Sequence, residues 1–197
     1  MNVDQGKYYF PNGCNLCGGE VQYKSLAETF GVDKEGMLFI CSSCGAYTSV
    51  HKITKGEAVQ GEPTGILADL NLRNLHDLLR CEFSKLWMIR PNEVSPLVKN
   101  LFPEYLIEFR EGLGVVKDID REKKLFKIED EDGFMWDVPI NETHQTKPRT
   151  KSYYWLSKQM GIKYIECKIP FFDEEQTYQA IEIIKQAIKP FENATNN

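Results

Sequence analysis

The 197-residue chain is long enough for one large domain or two small ones around a buried core. Its 42% hydrophobic and 27% charged residues suit a soluble globular protein, and no apolar run approaches the ~20 residues of a membrane-spanning helix. A net charge of −5 excludes a general nucleic-acid coat, whose surface must be basic.

Residues 1–11 lack the basic segment and apolar core of a secretory signal. The expected location is therefore a cytoplasm, with no membrane partner. There, cysteines arranged as two pairs point to metal rather than disulfides. Cys14-Asn15-Leu16-Cys17-Gly18-Gly19 and Cys41-Ser42-Ser43-Cys44-Gly45 repeat one local device. Two residues between cysteines let both sulfurs of a pair reach one ion, and the following glycine permits a tight turn with positive φ. Residues 18–40 leave room for a hairpin, with strands at 20–23 and 37–40 and a turn at 31–36. The expectation is one structural Zn2+ held by Cys14, Cys17, Cys41 and Cys44 in a zinc ribbon. A rubredoxin-like iron centre uses similar knuckles and stays open at this level. A redox CxxC needs only one pair, beside a βαβ pattern.

Residues 55–63 read as a loop. Leu67, Leu70, Leu75, Leu78, Leu79, Phe83, Leu86 and Trp87 then recur at helical spacing, with Asp69 as cap and a stop before Pro91. Cys81 lies near this stripe and reads as a buried thiol.

From Tyr105 to Pro139 the period changes to two. Strands are expected at 115–119, 125–128 and 134–138, separated by turns at 120–123 and 130–133. The acidic run 129–132 reads as a solvated hairpin tip. Three or four such strands predict a small SH3-like β-barrel or a curled meander. Phe126, Phe134 and Trp136 would fill its core, with a peptide-binding groove as the alternative.

The last part reads as helix–strand–helix. Thr150 caps a helix to Met160 that Gly161 ends, and 164–169 form a strand carrying a buried Cys167 thiol. Asp173 and Gln176 make a capping box for a helix that contains Tyr178, Ile181, Ile184 and Ile188 and stops at Pro190, before a frayed tail at 194–197. The fold class is α+β, divided as a zinc ribbon (1–62), an amphipathic helix (63–97), an inserted β module (98–141) and a helix–strand–helix part (142–197).

Charge is uneven along this plan. Residues 104–137 hold eleven acids and six bases; residues 143–168 hold six bases (Lys147, Arg149, Lys151, Lys158, Lys163, Lys168) and the single acid Glu166.

Several blocks occur in order: Cys14-x-x-Cys17-Gly18-Gly19-Glu20-Val21; Cys41-Ser42-Ser43-Cys44-Gly45-Ala46-Tyr47 to His51; Gly65-Ile66-Leu67-Ala68-Asp69 with Leu72-Arg73; Phe83-x-x-Leu86-Trp87; Tyr154-Trp155-Leu156-x-x-Gln159-Met160-Gly161-Ile162; and Glu166-Cys167-x-Ile169 with Phe172-Asp173. Together they resemble the phage and prophage proteins grouped as a zinc-finger-containing domain, over about residues 14–87 and 149–182. The resemblance implies a phage or mobile-element setting and an insertion at about 88–148, and it carries no activity. Arg80 and Lys168 stand where the family pattern has histidine.

A catalytic constellation is not visible. A zinc held by four thiolates has no open position, and no Gly-rich phosphate loop is present. Of the three histidines, His51 is expected at the surface or packing the finger, His76 inside the helix and His144 in a polar segment. The leading expectation is a non-enzymatic recognition protein whose partner is a host or phage protein. The second is weak nucleic-acid binding through Lys147, Arg149, Lys151, Tyr153 and Lys158, with Tyr154 and Trp155 beside them for stacking. An enzyme of unknown type is the third.

Overall fold

The computed structural model describes residues 9–51, 61–90, 93–94 and 105–195. The chain divides into two units: Met1–Leu79 with Lys168–Tyr178, and Arg80–Cys167 with Gln179–Asn197. Most of the loop expected at 55–63, and the start of the β module at 98, lie outside the described residues.

In the first unit, β1 (Val21–Ser25), β2 (Met37–Cys41) and β3 (Tyr47–Ser49) form an antiparallel sheet in the order β1-β2-β3. The hairpin matches the expected strands, but its connection contains a short helix, α1 (Leu26–Phe30). Ser25 starts it: the Ser25 hydroxyl accepts the Glu28 N–H at 3.1 Å, and Glu28 accepts the Ser25 N–H at 3.3 Å. That reciprocal box is readable as Ser25-x-x-Glu28. β2 crosses the core, and the fully buried Phe39 meets the rings of Tyr9, Phe10 and Tyr23 at 5.6, 5.3 and 5.0 Å.

Helix α2 (Leu70–Lys85) starts where expected, because Asp69 Oδ1 accepts the Leu72 N–H at 2.8 Å. Its buried stripe is Leu72, His76, Leu79, Phe83 and Leu86, whereas Leu70 and Leu78 are exposed. Cys81 is exposed too, against expectation. At 3.6 residues per turn it projects half a turn away from Leu79 and Phe83. His76 satisfies its buried ring through Nε2, 2.8 Å from the Phe172 carbonyl oxygen. Residues 168–178 return here: the Ile66 N–H donates to the Pro170 carbonyl at 2.9 Å.

In the second unit, β4 (Met88–Arg90) pairs with β5 (Glu93–Val94). A five-stranded antiparallel sheet follows, built from β6 (Leu106–Phe109), β7 (Gly112–Asp120), β8 (Leu125–Asp130), β9 (Met135–Pro139) and β10 (His144–Gln145) in the order β10-β6-β7-β8-β9. The meander is present; the SH3-like barrel is not. β9 and β10 are opposite edges, and no pairing closes them among the described residues. A helix covers one face of the open sheet. Leu106, Leu113 and Val115 on one face pack with Tyr154 of α3 (Pro148–Met160) and with Tyr164. On the other face Phe109, Ile128 and Val138 cluster with Ile107 and Phe126. Phe126 thus packs as expected, but Phe134 (65% exposed) and Trp136 (36%) do not fill a core. They lie at the β8–β9 turn and on the edge strand.

Lys147 occupies the N-cap position of helix α3 without a side-chain cap, and Pro148 follows in the first turn, so Thr150 lies one turn inside rather than at the cap. Proline's fixed φ suits that first position. The helix ends at Gly161 in the left-handed region, φ +68°. The strand expected at 164–169 is instead two 3-10 turns, Tyr164–Glu166 and Ile169–Phe171. Glu166 accepts the Lys163 N–H and the Cys167 N–H returns to Lys163, which curls the backbone before any ladder forms. Cys167 is nonetheless buried, and burial, reinforced by the charge of Glu131, pushes its thiol up to about 12.

Helix α4 (Glu174–Thr195) opens on the expected box: Asp173 accepts the Gln176 N–H at 2.8 Å and Gln176 accepts the Asp173 N–H at 3.1 Å. Ile181, Ile184 and Ile188 are buried, while Tyr178 is exposed. The helix continues through Pro190 instead of stopping there. The ring deletes one backbone bond, a local cost that an otherwise continuous helix absorbs. No helix among the described residues is long and apolar enough to cross a membrane.

A Cβ built on Gly65 would sit 2.2 Å from the Pro170 carbonyl oxygen, a backbone atom that cannot rotate away. Gly65→Ala is expected to destabilise the protein by about 1–3 kcal/mol through this overpacking. Thermal unfolding compared with the surface change Glu174→Ala, which should stay within about 0.5 kcal/mol, measures the difference.

Candidate metal centre and binding surface

The two CxxC segments fold alike. Gly18 and Gly45, each following the second cysteine of its pair, adopt φ +72° and +74°. Each turn aims a backbone N–H at the first sulfur of its pair: Leu16 N lies 3.4 Å from Cys14 Sγ, and Ser43 N lies 3.4 Å from Cys41 Sγ, joined by Cys44 N at 3.5 Å. Such N–H···S contacts orient and stabilise thiolate ligands. Pairing Val21 with Cys41 across β1 and β2 brings the knuckles together. Gly19 lets them approach, since a Cβ there would lie 2.9 Å from Cys41 Sγ and 2.5 Å from Ser43 Oγ.

The four sulfurs of Cys14, Cys17, Cys41 and Cys44 lie within 4.8 Å of one another. Cys14 and Cys44 are 3.7 Å apart at sulfur, and Cys17 and Cys41 are 3.5 Å apart. A tetrahedron with zinc–sulfur bonds of ~2.3 Å has edges of ~3.8 Å, so the donor set fits a zinc ion. Cys14 and Cys41 are buried against the Phe39 cluster, while Cys17 and Cys44 face outward.

The acid–base chemistry agrees. Burial pushes Cys41 up, but the N–H groups of Cys44 and Ser43, with the thiols of Cys17 and Cys44, more than offset it and hold Cys41 at about 6. The Gly19 N–H pulls Cys17 down, yet the sulfurs of Cys44 and Cys41 drive it up to about 12. Burial raises Cys14. Sulfurs this close oppose one another's ionisation, and a divalent cation ligated by all four removes that opposition. His51 and Cys81, both exposed, and the buried Cys167 lie outside the group.

The bases expected to form a binding strip are partly committed elsewhere. Lys158 reaches Glu131 at 3.4 Å and sits 5.1 Å over the Tyr154 ring, and Lys163 reaches Asp132 at 2.8 Å. Lys147 and Arg149 are exposed and Lys151 is half-buried. Tyr153 packs on Phe83 at 4.3 Å with the Arg149 guanidinium 5.8 Å above its ring, and Tyr154 is buried.

The acidic hairpin is more than a solvated tip. Both carboxylate oxygens of Glu131 accept the Tyr164 N–H at 2.8 Å. Asp130 accepts the N–H groups of Asp132 and Phe134 through Oδ1, each at 2.9 Å, and the Trp136 indole N–H through Oδ2 at 2.7 Å. The exposed indole is therefore held in one orientation. Asp130-Glu131-Asp132-Gly133 carries the signal for this turn, because an Asp side chain bonds backbone two residues on; the tie to Trp136 has no local signature.

The sheet, the paired knuckles and the four sulfurs define a zinc-finger protein. Residues 10–107 match the model of a family described as a zinc-finger-containing domain, a span that includes all four cysteines. No curated protein and no solved structure matches the chain.

One zinc per chain is expected by elemental analysis of the purified protein, with iron in its place the contrary result. Cys41→Ser should abolish zinc retention and unfold the finger, which has too small a core to stand without its metal. Gly19→Ala should weaken zinc retention roughly 10–100-fold while leaving all four ligands in place.

The Asp130 carboxyl is held below the usual carboxylate range, first by the Trp136 indole N–H and then by the Phe134 and Asp132 amides. A depressed pKa means that these bonds persist above the unfolded value of ~3.9 and fail as pH falls through the lower folded value. The Trp136 indole resonance should hold still from neutral pH to about pH 4 and shift only below it. Asp130→Ala should displace it at every pH.

Proposed function

We propose that this chain is a non-enzymatic recognition protein of phage or prophage type, acting in the host cytoplasm, in which a zinc-stabilised finger accompanies a β-sheet that presents a surface to a host or phage protein. The observation that carries the reading is the exposed apolar group Phe134, Met135 and Trp136, at 65%, 56% and 36% exposure, on and beside the edge strand β9. An aromatic side chain held in place on a surface loses little freedom on binding, which is what an interface anchor requires. The phage setting rests on the ordered sequence blocks from Cys14 to Asp173, and the β-rich stretch as an inserted module is part of the same proposal.

A nucleic-acid partner is the second reading, favoured by Lys147, Arg149 and Lys151 clustering at the start of α3. Against it, Lys158 and Lys163 are already paired with acids, and Tyr153 is covered on its ring by Phe83. Three phosphate contacts would give a shallow salt slope and weak affinity.

Affinity capture from host cells with the zinc-loaded protein, with and without nuclease, is expected to retain a protein partner under both conditions and to lose it with Trp136→Ala. Fluorescence anisotropy with single- and double-stranded oligonucleotides at two salt concentrations should show weak or absent binding. Submicromolar, salt-sensitive binding abolished by changing Lys147, Arg149 and Lys151 to Glu would establish the nucleic-acid reading instead.

A further inference from the structure

A cavity of about 400 Å³ opens at one end of the five-stranded sheet, where the β6–β7 turn, the β8–β9 turn and residues 163–165 converge. Its lining is chemically one-sided. Five carboxylates, Glu108, Glu111, Asp130, Glu131 and Asp132, face it with Lys163 as the single base, and Phe109, Tyr154 and Tyr164 supply aromatic wall.

The carboxylates divide by what they already do. Glu131 is engaged by the Tyr164 amide and Lys158, Asp132 by Lys163, and Asp130 by backbone and the Trp136 indole. Glu108 and Glu111 are exposed, and their carboxylates make no ion pair or hydrogen bond among the described residues. The space thus retains two carboxylates without partners next to aromatic rings, a setting that favours a cation carried on an apolar stem. Asp130 joins this space to the exposed Phe134 and Trp136, since it lines the cavity and also fixes both residues. The local charge extends the pattern: residues 104–137 carry eleven acids against six bases.

We propose that this end of the sheet, where the β6–β7 and β8–β9 turns meet, is a docking surface for a basic peptide segment of a partner protein. An arginine or lysine side chain enters the cavity between Glu108 and Glu111, and a neighbouring apolar residue lies on Phe134 and Trp136. The proposal rests on the protein-recognition reading above and specifies the chemistry of its partner. Complementary charge selects the segment and speeds encounter, and the oriented aromatic pair retains it. A guanidinium fits best, because its planar fork meets carboxylates in pairs and stacks on rings.

The test is selection from a ribosome-displayed library of random twelve-residue peptides on the immobilised, zinc-loaded full chain. Parallel selections use the double variant Glu108→Gln/Glu111→Gln and the variant Trp136→Ala. Enriched sequences are expected to place arginine or lysine beside an aromatic or aliphatic residue, and to lose enrichment on both variants. The best peptide, measured by fluorescence anisotropy, should bind the double variant at least tenfold more weakly and lose affinity as salt rises. Its addition should move the Trp136 indole resonance. Enriched peptides without basic residues, or equal binding to the double variant, would overturn this inference and leave a protein-recognition role standing. A library from which nothing is enriched would overturn both. Gln at positions 108 and 111 keeps side-chain size on exposed sites, so retained zinc and an unchanged melting temperature separate lost binding from lost fold.

Discussion

Four sulfurs drawn to within 4.8 Å of one another are the constraint on which the first unit depends. Such a group is self-repelling once its thiols ionise, and only a shared cation makes the arrangement favourable. Its neighbours follow from that demand. Gly19 is bare because Cys41 Sγ leaves no room for a side chain, and Gly18 and Gly45 turn the chain so that amides face sulfur. Cys14 and Cys41 in turn carry the site into the apolar cluster around Phe39. Metal and core are therefore one cooperative object, in which zinc affinity and the packing of Phe39 report on the same equilibrium.

Legibility in the sequence followed the range of the interactions. The two knuckles, the capped start of α2, the Asp173–Gln176 box and the strands β7, β8 and β9 depend on residues a few positions apart, and all are readable there. The short helix α1 lies between the strand expected at 20–23 and the turn expected at 31–36, and Ser25 and Glu28 are its local signal. What failed depended on distant partners. The barrel expectation rests on three or four strands being too few for an open sheet; β6, β10 and the packing of α3 on one face come from distant segments. Residues 164–169 alternate like a strand, yet no strand edge meets them and local turns take over. Cys81 was placed with the apolar stripe by proximity in sequence, whereas helical phase puts it on the opposite side. For the candidate site, the zinc ligands were readable from spacing alone. Glu108, Glu111 and the Asp130–Trp136 tie were not, since they are assembled by sheet register and by a turn.

Charge tells a related story in the second unit. The sequence holds an acidic stretch at 104–137 and a basic one at 143–168. Lys158 with Glu131 and Lys163 with Asp132 join them, so part of the basic strip is spent locally on fixing the β8–β9 turn. At exposed positions such pairs contribute little stability. Their effect is on placement: with the Tyr164 amide bound to Glu131, they set the hairpin against the segment after α3. The excess acid then stays on the sheet, where Glu108 and Glu111 have no competing base among the described residues.

The hydrogen bond from Ile66 to Pro170 joins two segments about a hundred residues apart in sequence. As the chain leaves the ribosome, the cysteine knuckles and the β1–β2 hairpin emerge complete and can take metal at once. The seat beneath Gly65 and the acceptor for His76 emerge only with Pro170 and Phe172. Closing so long a loop adds only a logarithmic entropic cost, but it makes the contact slow relative to local structure. At 5–20 residues per second, several seconds separate the emergence of the finger from that of Phe172, and until then water takes the place of the Phe172 carbonyl at the His76 ring. Zinc acts as a placeholder that keeps the early half in register until the late half arrives.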